Sequence, residues 1–121
     1  MIVRYIVNDV PASLEFYTKH LGFTVTRDAS PGFALVARGP LRLALSGVTG
    51  PGGGARAMPD GRMPEPGGWN RIQIAIGDLA AEVARLRAAG LHFRNDIVRG
   101  TGGSQILLDD PSGNPIELFQ A

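Results

Sequence analysis

The sequence predicts an α+β fold built from two tandem βαβββ modules. Two observations carry the prediction. The order strand, capped helix, glycine stop and three short strands occurs twice, and a Gly/Pro-rich segment separates the two occurrences. Neither helix is long enough to be stable by itself, so each has to bury its apolar face on a sheet. At 121 residues the chain is sized for a single domain, here module 1 (1–46), a linker (47–68) and module 2 (69–121).

The first strand is expected over residues 2–7, which are rich in β-branched and aromatic side chains. Asn8 and Asp9 can cap a helix, and Pro11 suits its first turn. Val10, Leu14, Tyr17 and Leu21 recur at helical spacing, and Gly22 ends that helix. Strands follow at about 23–27, 33–38 and 41–46. Residues 47–68 hold eight glycines and four prolines. They carry too little apolar content to fold alone, and read as a mobile linker or flap.

The pattern then returns. A strand over 71–76 leads to the capping Asp78, and Leu79, Val83 and Leu86 share one face of a second helix that Gly90 ends. Strands are expected at about 91–94, 104–109 and 115–120, the last two joined by the turn Asp110-Pro111-Ser112-Gly113-Asn114. The repeat is visible as Asn8–Leu14 against Gly77–Val83 and Leu21-Gly22-Phe23 against Ala89-Gly90-Leu91.

Composition excludes several classes. There is no cysteine, hence no disulfide, thiolate metal site or Cys nucleophile. The net charge of +1, with both signs spread along the chain, shows no nucleic-acid footprint. No apolar run is long enough to span a bilayer, and Met1–Val7 reads as a strand rather than an export signal, so a soluble cytoplasmic protein is expected. Gly52-Gly53-Gly54 and Gly100-Thr101-Gly102-Gly103 are not phosphate loops, because neither joins a strand to a following helix. His20 near a helix C-terminus reads as structural, and His92 at a strand start reads as exposed or at an edge rather than catalytic.

The chain resembles the vicinal oxygen chelate superfamily, which includes glyoxalase I, extradiol dioxygenases and the bleomycin-resistance proteins. The resemblance lies in Val7-Asn8-Asp9-Val10-Pro11-Ala12-Ser13-Leu14-Glu15-Phe16-Tyr17, Leu21-Gly22-Phe23 and Asp110-Pro111-Ser112-Gly113-Asn114-Pro115-Ile116-Glu117-Leu118. It implies curved mixed sheets around a shared cavity, in a homodimer. It does not settle the reaction, since one scaffold hosts many chemistries.

In enzymes of that family the metal sits on one residue of each first strand and one of each last strand. The corresponding positions here are Ile2, Ala44, Arg71 and Glu117. Only one of these could bind a cation, against the three or four donors a divalent ion needs, so no metal and no cofactor is expected. Strand alternation and the 110–114 turn place Gln105, Leu107 and Phe119 on the face of Glu117. They place Arg4, Ile6, Phe33 and Leu35 on the face of Ala44, and Gln73 on that of Arg71.

Glu117 reads as a relic ligand, a general base, or half of an ion pair with Arg71. Arg4 and Arg71 read as clamps for an anionic ligand, or as neutralisers of nearby carboxylates. Trp69 reads as a cap or stacking surface for a flat ligand, or as a packing residue. The reading is a metal-independent small-molecule-binding protein that sequesters an antibiotic-like or metabolite ligand. The alternatives are a lyase or isomerase with Glu117 as general base, and a metal-dependent glyoxalase- or dioxygenase-like enzyme.

Overall fold

Two capping aspartates start the two helices. Asp9 and Asp78 sit in extended backbone and accept from the amides of Ala12 and Ala81, which satisfies donors that a helix start leaves unpaired. In the computed structural model, which describes residues 1–121, these helices are α1 (Val10–His20) and α2 (Leu79–Ala88). Gly22, at φ +71°, turns the chain out of α1 while Phe23 N–H bonds back to the Tyr17 carbonyl.

The strands are β1 (Ile2–Val7), β2 (Thr24–Ala29), β3 (Phe33–Arg38), β4 (Leu41–Gly47), β5 (Ile72–Ala75), β6 (Val98–Arg99), β7 (Ser104–Asp109) and β8 (Pro115–Gln120). They form two four-stranded mixed sheets with the same plan, β1-β4-β3-β2 and β5-β8-β7-β6. In each, the first and last strands of the repeat run parallel and the rest antiparallel. The predicted α+β class with two tandem modules is the observed one.

The chain divides into two compact units, Met1–Gly67 with Pro111–Asn114, and Gly68–Asp110 with Pro115–Ala121. In the first, α1 lies on β3 and β4. Val10, Tyr17, Val36, Leu43 and Leu45 are fully buried, and Tyr17 packs edge-on against both Phe16 and Phe23. In the second, α2 contacts β8. Leu79, Val83 and Leu86 are buried, as are Ile72, Ile74, Ile106, Leu108, Ile116 and Leu118. Alternation leaves the other sheet faces for Arg4, Ile6, Phe33, Leu35, Ala44 and Ser46 in one unit, and for Gln73, Gln105, Leu107, Glu117 and Phe119 in the other.

One expected element is corrected. Residues 91–94 do not form a strand: only a single bridge, Phe93 to Leu108, survives there, and the edge strand is Val98–Arg99. The cause is Asn95, whose side-chain oxygen accepts from Leu107 N–H at 3.0 Å and so takes a ladder position that backbone would have filled. No helix is long and apolar enough to cross a membrane.

Candidate functional site

In the second unit the chemistry gathers on Glu117. The β5–β8 ladder sets Gln73 beside Glu117, and the β7–β8 ladder sets Leu107 opposite it and Gln105 opposite Phe119. Arg71, one residue ahead of β5, turns back to the same carboxylate. Its Nε and Nη2 donate to Oε1 at 3.0 and 2.9 Å, and Gln73 Nε2 donates to Oε2 at 2.6 Å. Arg71 Nη1 also donates to the Trp69 carbonyl. Glu117 is nearly buried, and a carboxylate out of water is costly unless paired and hydrogen-bonded. Both of its oxygens are engaged here. Gln105, Leu107 and Phe119 are half-buried around it.

Trp69 is 71 % exposed. The Arg94 guanidinium lies 5.1 Å from its ring centre, and Arg94 Nε donates to Asp109 Oδ1 at 2.6 Å. His92 Nε2 stands 4.0 Å from the same carboxylate. Sequence reasoning did not single out Arg94 or Asp109, because strand patterning says nothing of which side chains pair across the turn from Trp69.

The first unit carries Arg4, Ile6, Phe33 and Leu35 on one sheet face with Ala44 and Ser46. β1 runs parallel to β4 with Arg4 beside Ala44, and β3 sets Leu35 opposite Ala44 and Phe33 opposite Ser46. Arg4 Nη1 donates to Ser46 Oγ at 3.0 Å. A cavity of about 440 Å³ opens here, lined by Arg4, Phe33, Ser46, Gly52–Gly54 and Ala55. Ile6 and Leu35 share the face without lining this cavity. Three glycines of the Gly/Pro segment thus form a wall, and Ala55 is buried. Alternation from Ala44 would have found Ser46; nothing in the sequence pointed to the seat of residues 52–55.

A divalent ion, which the fold implies for many of its enzymes, does not fit these residues. Ile2 and Ala44 offer no donor atom. Glu117 is held by a guanidinium that cannot be deprotonated. Nowhere in the chain do three His, Cys, Asp or Glu side chains come together as a ligand set.

No curated protein matches the chain. Among solved structures, a lactoylglutathione lyase from Agrobacterium tumefaciens superposes with TM-score 0.76 at 20 % identity, over 100 % of this chain and 92 % of that one. TnmS3, an antibiotic binding protein from Streptomyces sp. CB03234, superposes with TM-score 0.73 at 25 % identity, over 98 % of this chain and 92 % of that one. A superfamily member from Sphaerobacter thermophilus gives 0.76 at 24 % identity, over 99 % and 94 %. The family model that matches covers residues 2–118, almost the whole of both βαβββ repeats, and the chain therefore belongs to the Glyoxalase/Bleomycin resistance protein/Dioxygenase superfamily.

Proposed function

We propose that this chain is a small-molecule-binding protein that works without a metal ion and sequesters an antibiotic-like or metabolite ligand. The observation that carries the reading is the state of Glu117. Its oxygens accept three N–H bonds from Arg71 and Gln73, so the carboxylate serves as a structural counter-charge rather than as a metal ligand. A general base needs an oxygen turned to the substrate, so the same engagement argues against the lyase or isomerase reading. Each unit's sheet face combines apolar side chains (Ile6, Phe33 and Leu35 in the first, Leu107 and Phe119 in the second) with polar groups (Arg4 in the first, Arg71, Gln73 and Gln105 in the second), the usual make-up of ligand sites. Trp69 adds an exposed flat surface. The likeness to an antibiotic binding protein supports the same direction. The reading takes the functional form to be a cytoplasmic homodimer.

The test is metal content of protein purified without nickel or chelator, then thermal-shift titration with Mn, Fe, Ni, Zn and Co, then a screen of antibiotics and aromatic metabolites. The expected result is no stoichiometric metal, no shift with any ion, and a stabilising ligand. A ligand at a hundredfold its Kd stabilises by about 2.7 kcal/mol, which a melting curve resolves. About one tightly held ion per chain would overturn the proposal.

A further inference from the structure

The repeat lets one unit serve as a template for the other. In the second unit Gln73 lies beside Glu117 on the parallel ladder, and the Nε/Nη2 edge of Arg71 grips the carboxylate. In the first unit the same ladder positions hold Arg4 and Ala44. A guanidinium thus stands where the template has an amide, and a methyl group where it has a carboxylate. Arg4 makes no ion pair with any Asp or Glu. Its Nη1 is turned to Ser46, which leaves its Nε/Nη2 edge, the same edge that Arg71 uses, without a protein acceptor.

The surroundings suit a ligand. No acidic residue lines the 440 Å³ cavity, so its one formal charge is positive. Gly54 lies directly over the guanidinium: a Cβ there would fall 1.4 Å from Nη1 and 2.3 Å from Cζ. With the guanidinium where it stands there is no room for a side chain at position 54, so any other residue there would displace the end of Arg4. Phe33, half-buried, supplies an aromatic wall.

We propose that this cavity is a subsite for a small organic monoanion. Its carboxylate bonds the Nε/Nη2 edge of Arg4, as Glu117 bonds that edge of Arg71, while its apolar part rests on Phe33. The planar fork accepts carboxylate and phosphate alike, and a carboxylate is the better match because one negative charge meets the one guanidinium in the lining. The volume lies within the range of small-molecule sites. The inference deepens the binding reading above and concerns the first unit alone.

The probes are sodium benzoate, benzamide and inorganic phosphate, added at constant ionic strength to the whole chain and followed by NMR at Arg4 Nε and the amides of 52–55. Saturable shifts with benzoate, and binding of benzamide at least about tenfold weaker, are expected from the loss of a charge-assisted bond. Arg4→Gln should weaken benzoate by about tenfold or more with an unchanged unfolding midpoint. Gly54→Ala, which displaces the mobile end of Arg4, should weaken it as well. Equal binding of benzamide, tighter binding of phosphate, or indifference to Arg4→Gln would each overturn the subsite. If benzoate fails while another compound binds elsewhere, the subsite falls and the binding reading stands. If no compound binds anywhere, both fall.

Discussion

Replacing Arg71 by Met tests whether Glu117 depends on its partner. The substitution removes the two N–H bonds to Oε1 and leaves Gln73 alone on Oε2. The Glu117 side chain is 9 % exposed and that of Arg71 is 30 % exposed. Stranding one member of a fully buried pair costs about 3–5 kcal/mol, whereas an exposed pair contributes at most about 1 kcal/mol. Water can reach the Arg71 side of the gap, which places the loss near 2 kcal/mol, or about 8 °C in melting temperature for a chain of this size. Urea unfolding followed by circular dichroism and by fluorescence of Trp69, the sole tryptophan and in the same unit, measures it. The companion variant Arg71→Met/Glu117→Leu removes the buried charge too, and should return to within about 1 kcal/mol of the parent. A loss below about 0.5 kcal/mol for Arg71→Met, or a double variant as unstable as the single, would refute the claim that a stranded carboxylate drives the effect.

Two further outcomes follow. Asn114 is buried; its amide donates to the Ile6 carbonyl and accepts from Gly67 N–H, both at 2.8 Å, so Asn114→Ala should lower stability by about 2–3 kcal/mol. Asn114→Asp should do at least as much harm by turning an acceptor on Ile6, and an unchanged urea midpoint in both would contradict the assignment. The Ser30 hydroxyl, and then the Ser30 amide, hold the Asp28 carboxyl below its usual range. Because the folded value is the lower one, its contribution to stability is present above the unfolded value and is lost as pH falls through the folded one. Carboxyl NMR should show Asp28 titrating higher in Ser30→Ala, and an identical titration would remove the hydroxyl as the cause.

All the regular elements but β6 were legible because they carry their own signals. Capping aspartates and stop glycines bracket both helices, and the turn at 110–114 pins β7 to β8, so the opposition of Leu107 to Glu117 could be read from spacing alone. Arg71 beside Glu117 was one reading among several, but the share of Gln73 in holding the carboxylate was not foreseen, since alternation tells which face a residue is on and not whom it bonds. The strand expected at 91–94 failed because a side chain, Asn95, competed with backbone for the ladder. Composition described 47–68 only as poor in apolar residues. It could not show that Ala55 is buried or that Gly54 covers Arg4, contacts made across some fifty residues of chain.

The turn Pro111–Asn114 belongs with the first unit although it interrupts the last hairpin of the second repeat. Ser112 Oγ accepts from Asn8 N–H, and Asn114 ties Ile6 to Gly67. The first half of the polypeptide therefore does not contain all of its own compact unit. A break between Gly67 and Gly68 yields two fragments, of which the first lacks the four residues Pro111–Asn114 held by the second. The two repeats are free to diverge in the residues they present, as Ala44 and Glu117 have done, yet they are not separable parts: ligand chemistry can be rewritten one repeat at a time, while the chain has to be inherited whole.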